Sequence, residues 1–186
     1  MSVSVCVPTG VPAASRTETV PDDAKAAMRV VVIDDNQDSA SALALLVELW
    51  GYDVRVGYDG YTALELAQGF HPHAVLLDIG LPGFNGYDTA CCIRQAETHA
   101  RSEPALLVAV TGYGSPRDVA RAMRSGFDHH LVKPSDPDVL ERFLRNRACY
   151  LSTHRLAYDA QHHGAPSTGG TLRDDVPMAV FKPLNI

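Results

Sequence analysis

The chain is short of cysteine, of tryptophan and of long apolar runs. It has four cysteines and one tryptophan in 186 residues. The cysteines are Cys6, Cys91, Cys92 and Cys149. None forms a CxxC pair, and adjacent Cys91 and Cys92 are badly placed to bridge each other. Reduced thiols fit this pattern better than a disulfide framework. No stretch approaches the roughly 20 apolar residues of a membrane span. The first residues lack the basic start and apolar run of a signal peptide, so the expected compartment is the cytoplasm. Positive charge is also scarce: the formal net charge is −6, and residues 28–150 hold sixteen acids against eleven bases, a balance of −5. A mildly acidic domain is a poor candidate for nucleic-acid binding by bulk electrostatics. No internal repeat is visible.

What is present suits one core of ordinary size, with 46% hydrophobic residues. Residues 1–27 are rich in Pro, Ser, Thr, Val and Ala without a sustained period, and read as a flexible extension. Residues 161–170 (QHHGAPSTGG) have linker composition. Residues 151–186 are expected to be linker and tail with no recognisable output domain. Between the tails, short β-branched runs alternate with helical spacing. Strands are expected over Arg29–Ile33, Asp53–Val56, His73–Leu77, Ala105–Val110 and His129–Val132. Helices are expected over Asp38–Trp50, Tyr61–Gln68 (closed by Gly69), Tyr87–Thr98, from Ser115, and from Asp136 to about Tyr150. Ser115-Pro116-Arg117-Asp118 combines an N-cap, a proline at the first helical position and an acid three residues on. Five strands, each followed by a helix, predict an α/β fold with a parallel five-stranded sheet covered on both faces.

Ligands of such sheets bind at the carboxyl ends of the strands. The polar residues gather there: Asp34 and Asp35 after the first strand, Asp78 after the third, Thr111 after the fourth and Lys133 after the fifth. Three carboxylates close together repel, so a cation is needed. An all-oxygen set suits Mg²⁺. Lys133 offers a point charge to a phosphate and Thr111 a hydroxyl donor. One carboxylate remains free to attack phosphorus and give an aspartyl phosphate.

The order DD, D, T, KP at successive strand ends resembles the receiver domains of response regulators in two-component signalling. The likeness covers residues 28–150. It is most like receivers of hybrid sensor kinases and their stand-alone relatives, through GYGSPRD and GFDHHLVKP. It implies a flavodoxin-like (βα)5 doubly wound sheet of order 2-1-3-4-5. Asp78, in LLDIGLPGFNG, takes the place of the phosphoacceptor, with Thr111 and Lys133 assisting. Mg²⁺ would be held by Asp35, Asp78 and the backbone carbonyl of Gly80, with Asp34 acting mainly through water. Lys133-Pro134 matches a dipeptide whose bond is usually cis in the family. The resemblance departs at His130, where the family usually carries Tyr or Phe; Thr111 and His130 would form the switch pair. The implied phosphodonor is a histidine kinase or histidine phosphotransfer protein. Neither nucleic acid nor membrane is implied as a partner, and homodimerisation is left open. The implied domain assists its own phosphorylation and dephosphorylation without being an enzyme on an independent substrate.

Three other readings compete. A phosphatase or phosphotransferase working through an aspartyl phosphate commonly has a second acid two residues after the nucleophile, where this chain has Gly80. A transcription regulator needs an output domain, and the residues beyond Tyr150 show no helix-turn-helix pattern. A degenerate binding module would not keep the full acidic set with Thr111 and Lys133. Among lesser features, Asn85-Gly86 reads as a turn with no site. His129 and His130, adjacent on a strand, point to opposite faces. His154, His162 and His163 offer imidazoles for a transition metal, against the plainer reading of a polar linker.

Overall fold

The computed structural model describes residues 28–162 apart from residue 101, so the extension expected at 1–27 and, of the tail expected at 151–186, residues 163–186 lie outside the described residues. The elements are β1 (Arg29–Ile33), α1 (Gln37–Leu49), β2 (Asp53–Gly57), α2 (Gly60–Phe70), β3 (Ala74–Leu77), α3 (Gly86–Ala100), β4 (Leu106–Thr111), α4 (Pro116–Arg124), β5 (His129–Val132) and α5 (Pro137–His162). The strands form one parallel sheet in the order β2-β1-β3-β4-β5, as expected. The chain order reverses between β1 and β3, and this reversal opens the crevice where such sheets hold ligands.

The apolar runs explain why the sheet is covered twice. Val30, Val31, Val32 and Ile33 are all buried, and so are all four residues of β3. Alternate residues therefore serve opposite faces. Val31, Ile33, Val75 and Leu77 pack with α2, α3 and Ala122 of α4. Val30, Val32, Leu76 and Val108 pack with Ala44 and Val47 of α1 and with Leu140, Leu144 and Ala148 of α5. Fully burying one such side chain stabilises by about 1.5–3 kcal/mol, which makes these two layers the main source of stability.

Local chemistry sets the helix starts. Asn36 caps α1, its side chain accepting the Ser39 N–H at 2.9 Å. Ser115 and Asp118 form the expected reciprocal capping box at α4. Two helix ends depart from expectation. The second helix runs through Gly69 to Phe70 and is capped by His71 at φ 49°. The Arg29 guanidinium holds this end from β1, donating to the carbonyls of Phe70 (2.8 Å) and His71 (2.6 Å). The fifth helix continues past Tyr150 to His162, into the start of the stretch read as linker. Residues 151–160 contain neither Gly nor Pro, and Leu151 still packs against the α1–α5 core, so nothing stops the helix. No helix among the described residues is long and apolar enough to cross a membrane.

Candidate functional site

Four strand ends bring the site together. The Asp34 N–H donates to the Gly57 carbonyl (3.2 Å) and the Asp78 N–H to that of Ile33 (2.8 Å), so both aspartates continue the ladder past the last paired residues. Thr111 closes β4 and is fully buried. The Lys133 N–H donates to the Thr111 carbonyl at 2.8 Å, fixing where the lysine leaves β5. The Lys133–Pro134 bond is cis.

Lys133 is the hinge of the electrostatics. Its Nζ lies 2.6 Å from Asp34 Oδ2 and 2.7 Å from Asp78 Oδ2, joining residues 99 and 55 positions away in sequence. Burial alone would lower the lysine pKa, but the hydrogen bonds Lys133 donates to Asp34 and Asp78 and the attraction of both carboxylates outweigh it and leave the pKa raised. The amine is therefore a firm cation. The other oxygens are occupied too: Asp34 Oδ1 accepts the Asn36 N–H (3.1 Å) and Asp78 Oδ1 the Gly80 N–H (3.0 Å).

Asp35 stands apart in exposure. Asp34 and Asp78 are 3% and 8% exposed, whereas Asp35 faces solvent. Carboxylate oxygens of the three aspartates nevertheless lie within 4.8 Å of one another. One ammonium against three carboxylates leaves this edge short of positive charge. Oxygen donors with one exposed member fit a hard cation that keeps part of its water.

The remaining predicted residues border this centre. Thr111 Oγ1 accepts the Tyr113 N–H at 3.3 Å. Gly80 follows Asp78 closely: a Cβ there would sit 3.6 Å from Asp78 Oδ1, an ordinary contact. His130 and His129 take opposite sides of β5. His129 stacks on Phe143 of α5 with ring centroids 3.9 Å apart. The Nε2 of His130 is buried without a hydrogen-bond partner among the described residues. His163 lies outside the described residues, as do the side chains beyond His154; His154 itself is exposed and packs against Tyr150 at 4.1 Å.

Sequence reasoning missed Gly86, which supports Asp78. A Cβ at Gly86 would collide with the Asp78 carbonyl oxygen and stand 2.6 Å from Ile79 Cα. Its N–H donates to the Ile79 carbonyl at 3.1 Å. The glycine lets α3 start directly against the backbone that carries the aspartate. The Asn-Gly pair was the available signal, but a turn explains it equally well.

Comparisons with known proteins agree with this fold. The family model described as "Response regulator receiver domain" matches residues 30–145. Among curated relatives, the CAI-1 autoinducer sensor kinase/phosphatase CqsS of Vibrio cholerae is 35% identical over 112 residues, which is 60% of this chain and 16% of that protein. The DNA-binding dual master transcriptional regulator RpaA of Synechocystis is 31% identical over 134 residues, 72% of this chain and 54% of that one. The chain thus spans only part of these relatives. Solved structures show the same fold. A CheY-like receiver domain protein from Methanospirillum hungatei superposes with a TM-score of 0.60 at 20% identity, covering 68% of this chain and 98% of that one. The Saccharomyces cerevisiae receiver domain of Ssk1, solved with the histidine phosphotransfer protein Ypd1, gives 0.62 at 22% identity, covering 66% and 89%. The family match begins in β1, ends in α5 and takes in Asp34, Asp35, Asp78, Thr111 and Lys133; the chain belongs to the response regulator receiver domain family of two-component signalling.

Proposed function

We propose that this chain is a phosphoacceptor response regulator, taking a phosphoryl group from a phosphohistidine onto Asp78 and signalling by a change of conformation. The observation that carries the reading is Lys133 Nζ held between Asp34 and Asp78 beside a third carboxylate. A carboxylate oxygen of Asp78 attacks phosphorus, the N–P bond of the donor breaks, and its electron pair returns to the imidazole nitrogen. Lys133 then pairs with a phosphoryl oxygen in place of carboxylate. The Thr111 hydroxyl donates to another, and the space it leaves is open to the His130 ring.

Asp35, Asp78 and the Gly80 carbonyl are the groups that would hold Mg²⁺, with Asp34 acting through water. The bound ion would supply the positive charge that the three carboxylates and the incoming phosphate lack. Phosphorylation adds roughly one to two negative charges and shifts the balance between two conformations. The receiver unit is residues 28–150 with the extended α5 attached, and cytoplasmic placement goes with this reading.

The phosphodonor is a histidine kinase or histidine phosphotransfer protein. Exposed Leu45 (59%) and Leu49 (75%) on α1, the helix that follows Asp35, give it an apolar landing strip. Leu45→Glu with Leu49→Glu should slow phosphotransfer from such a protein at least about tenfold. Phosphorylation by acetyl phosphate should be unchanged; equal loss with both donors would refute the landing strip.

The primary test is intact mass after incubation with acetyl phosphate, with and without Mg²⁺. An adduct of about 80 Da that needs Mg²⁺ and is absent in Asp78→Asn is expected. An adduct that persists in Asp78→Asn would move the acceptor elsewhere. Steady turnover of a small phosphoester would favour an enzyme instead.

A further inference from the structure

The edge of the sheet opposite Asp78 holds a cavity of about 400 Å³. α2 and α3 wall it on one face of the sheet, and the middle of α5 closes it from the other. Its apolar lining includes Ala67, Ile93, Ala96, Ala105 and Leu151. Two guanidiniums stand at the rim. Arg29 has no acid within 4.0 Å among the described residues, and Arg147 has only Glu103, at 3.4 Å and half-exposed. Glu97, the other acid present, is taken up by Arg94 (2.8 Å) and by the Ala105 N–H (2.7 Å).

His73 lies between the arginines. Its Nδ1 accepts the Arg29 N–H at 2.9 Å, so in the neutral ring Nε2 carries the proton and is a donor. Burial, then repulsion by Arg29 and Arg147, pushes its pKa down to about 4. The plain alternative is that both arginines only staple loop carbonyls. Arg147 does donate to His73 (3.2 Å) and Pro104 (2.6 Å), as Arg29 does to Phe70 and His71. Those bonds use Nε and Nη2, and leave each Nη1 without a hydrogen-bond partner among the described residues. Apolar walls, two under-neutralised guanidiniums and a neutral imidazole donor match what small-molecule sites offer, and the volume lies in their range.

We propose that this cavity binds a small amphipathic anion, an aromatic or short aliphatic body carrying one carboxylate. The body lies along the alanines and Ile93, and the carboxylate meets Arg29 and Arg147. This site is independent of phosphorylation at Asp78. The test is a titration of the full chain, ¹⁵N-labelled, with 4-phenylbutyrate and separately with 4-phenylbutan-1-ol, followed by amide shifts. Saturable shifts are expected around Ala67, Ala96 and Leu151, with the acid at least about tenfold tighter than the alcohol. Ala96→Leu fills the cavity while keeping both arginines, and should abolish the shifts. It is the deciding variant, because Arg147→Gln also removes bonds that hold two loops. Absence of saturable shifts, equal affinity of acid and alcohol, or shifts that survive Ala96→Leu would each overturn the proposal.

Discussion

Removing Lys133 and removing Asp78 should have unequal effects on stability, although they are partners in one ion pair. Lys133→Met takes from between Asp34 and Asp78, both buried, the only cation placed there among the described residues. Two charge-assisted hydrogen bonds vanish and two carboxylates stay without compensation. Breaking a buried pair in this way costs about 3–5 kcal/mol, and the partial exposure of the lysine places the loss near 3. Asp78→Asn loses one bond to Lys133, but it also removes a carboxylate within 4.8 Å of two others. At an effective dielectric of about 20, each such repulsion is of order 3 kcal/mol, and the attraction lost at 2.7 Å is of order 6. The two nearly cancel, so the net change without Mg²⁺ should stay within about 1 kcal/mol. Urea denaturation of wild type and both variants reads this directly as shifts in midpoint at constant slope. Mg²⁺ at ten times its dissociation constant should add about 1.4 kcal/mol to the wild type and much less to Asp78→Asn. If the two variants are equally destabilised and Mg²⁺ stabilises neither protein, the cluster is an ordinary ion-pair network and the argument for a cation fails.

Three further outcomes are expected. The folded pKa of His73, about 4, lies below the ordinary 6.5, so the unfolded chain takes up the proton first. Stability is then full above pH 6.5 and falls as the pH drops toward 4, by about 2 kcal/mol after discounting for solvent screening at a partly exposed ring; His73→Gln should remove that part of the slope in a pH series of urea melts. Gly86→Ala should cost at least about 2 kcal/mol and slow acetyl-phosphate labelling of Asp78, because the new Cβ meets backbone rather than a movable side chain; a variant as stable and reactive as wild type would remove Gly86 from the site. Ser115→Ala breaks the capping box of α4 and should cost about 1 kcal/mol in the same melts, with a change below 0.3 refuting the cap's contribution.

The sheet was legible in the chain because a strand buried on both faces needs an unbroken β-branched or apolar run, and β1, β3 and β4 are such runs. The site residues were legible for a related reason: a charged or hydroxyl side chain directly after a buried strand can only lie at the sheet edge. Asp34, Asp35, Asp78, Thr111 and Lys133 could therefore be placed on one edge without knowing any distance. The helix ends were less legible, because the competing signals were tertiary. Gly69 carries the usual mark of a helix stop, yet Arg29, forty residues earlier, reaches the carbonyls one and two residues further on and moves the stop there.

Composition, alternation and strand-end chemistry by themselves determined the fold class and the set of residues that meet at the sheet edge, while the sheet order was expected from the resemblance to receiver domains. Only the tertiary structure decided which of those residues bond. It put Lys133 between Asp34 and Asp78, left Asp35 to solvent, set Gly86 against the aspartate's backbone and opened the cavity beside Arg29 and Arg147. The division has a physical cause: periodicity and burial are properties of neighbours in sequence, whereas a 2.6 Å contact between residues 99 positions apart exists only once the whole sheet has assembled.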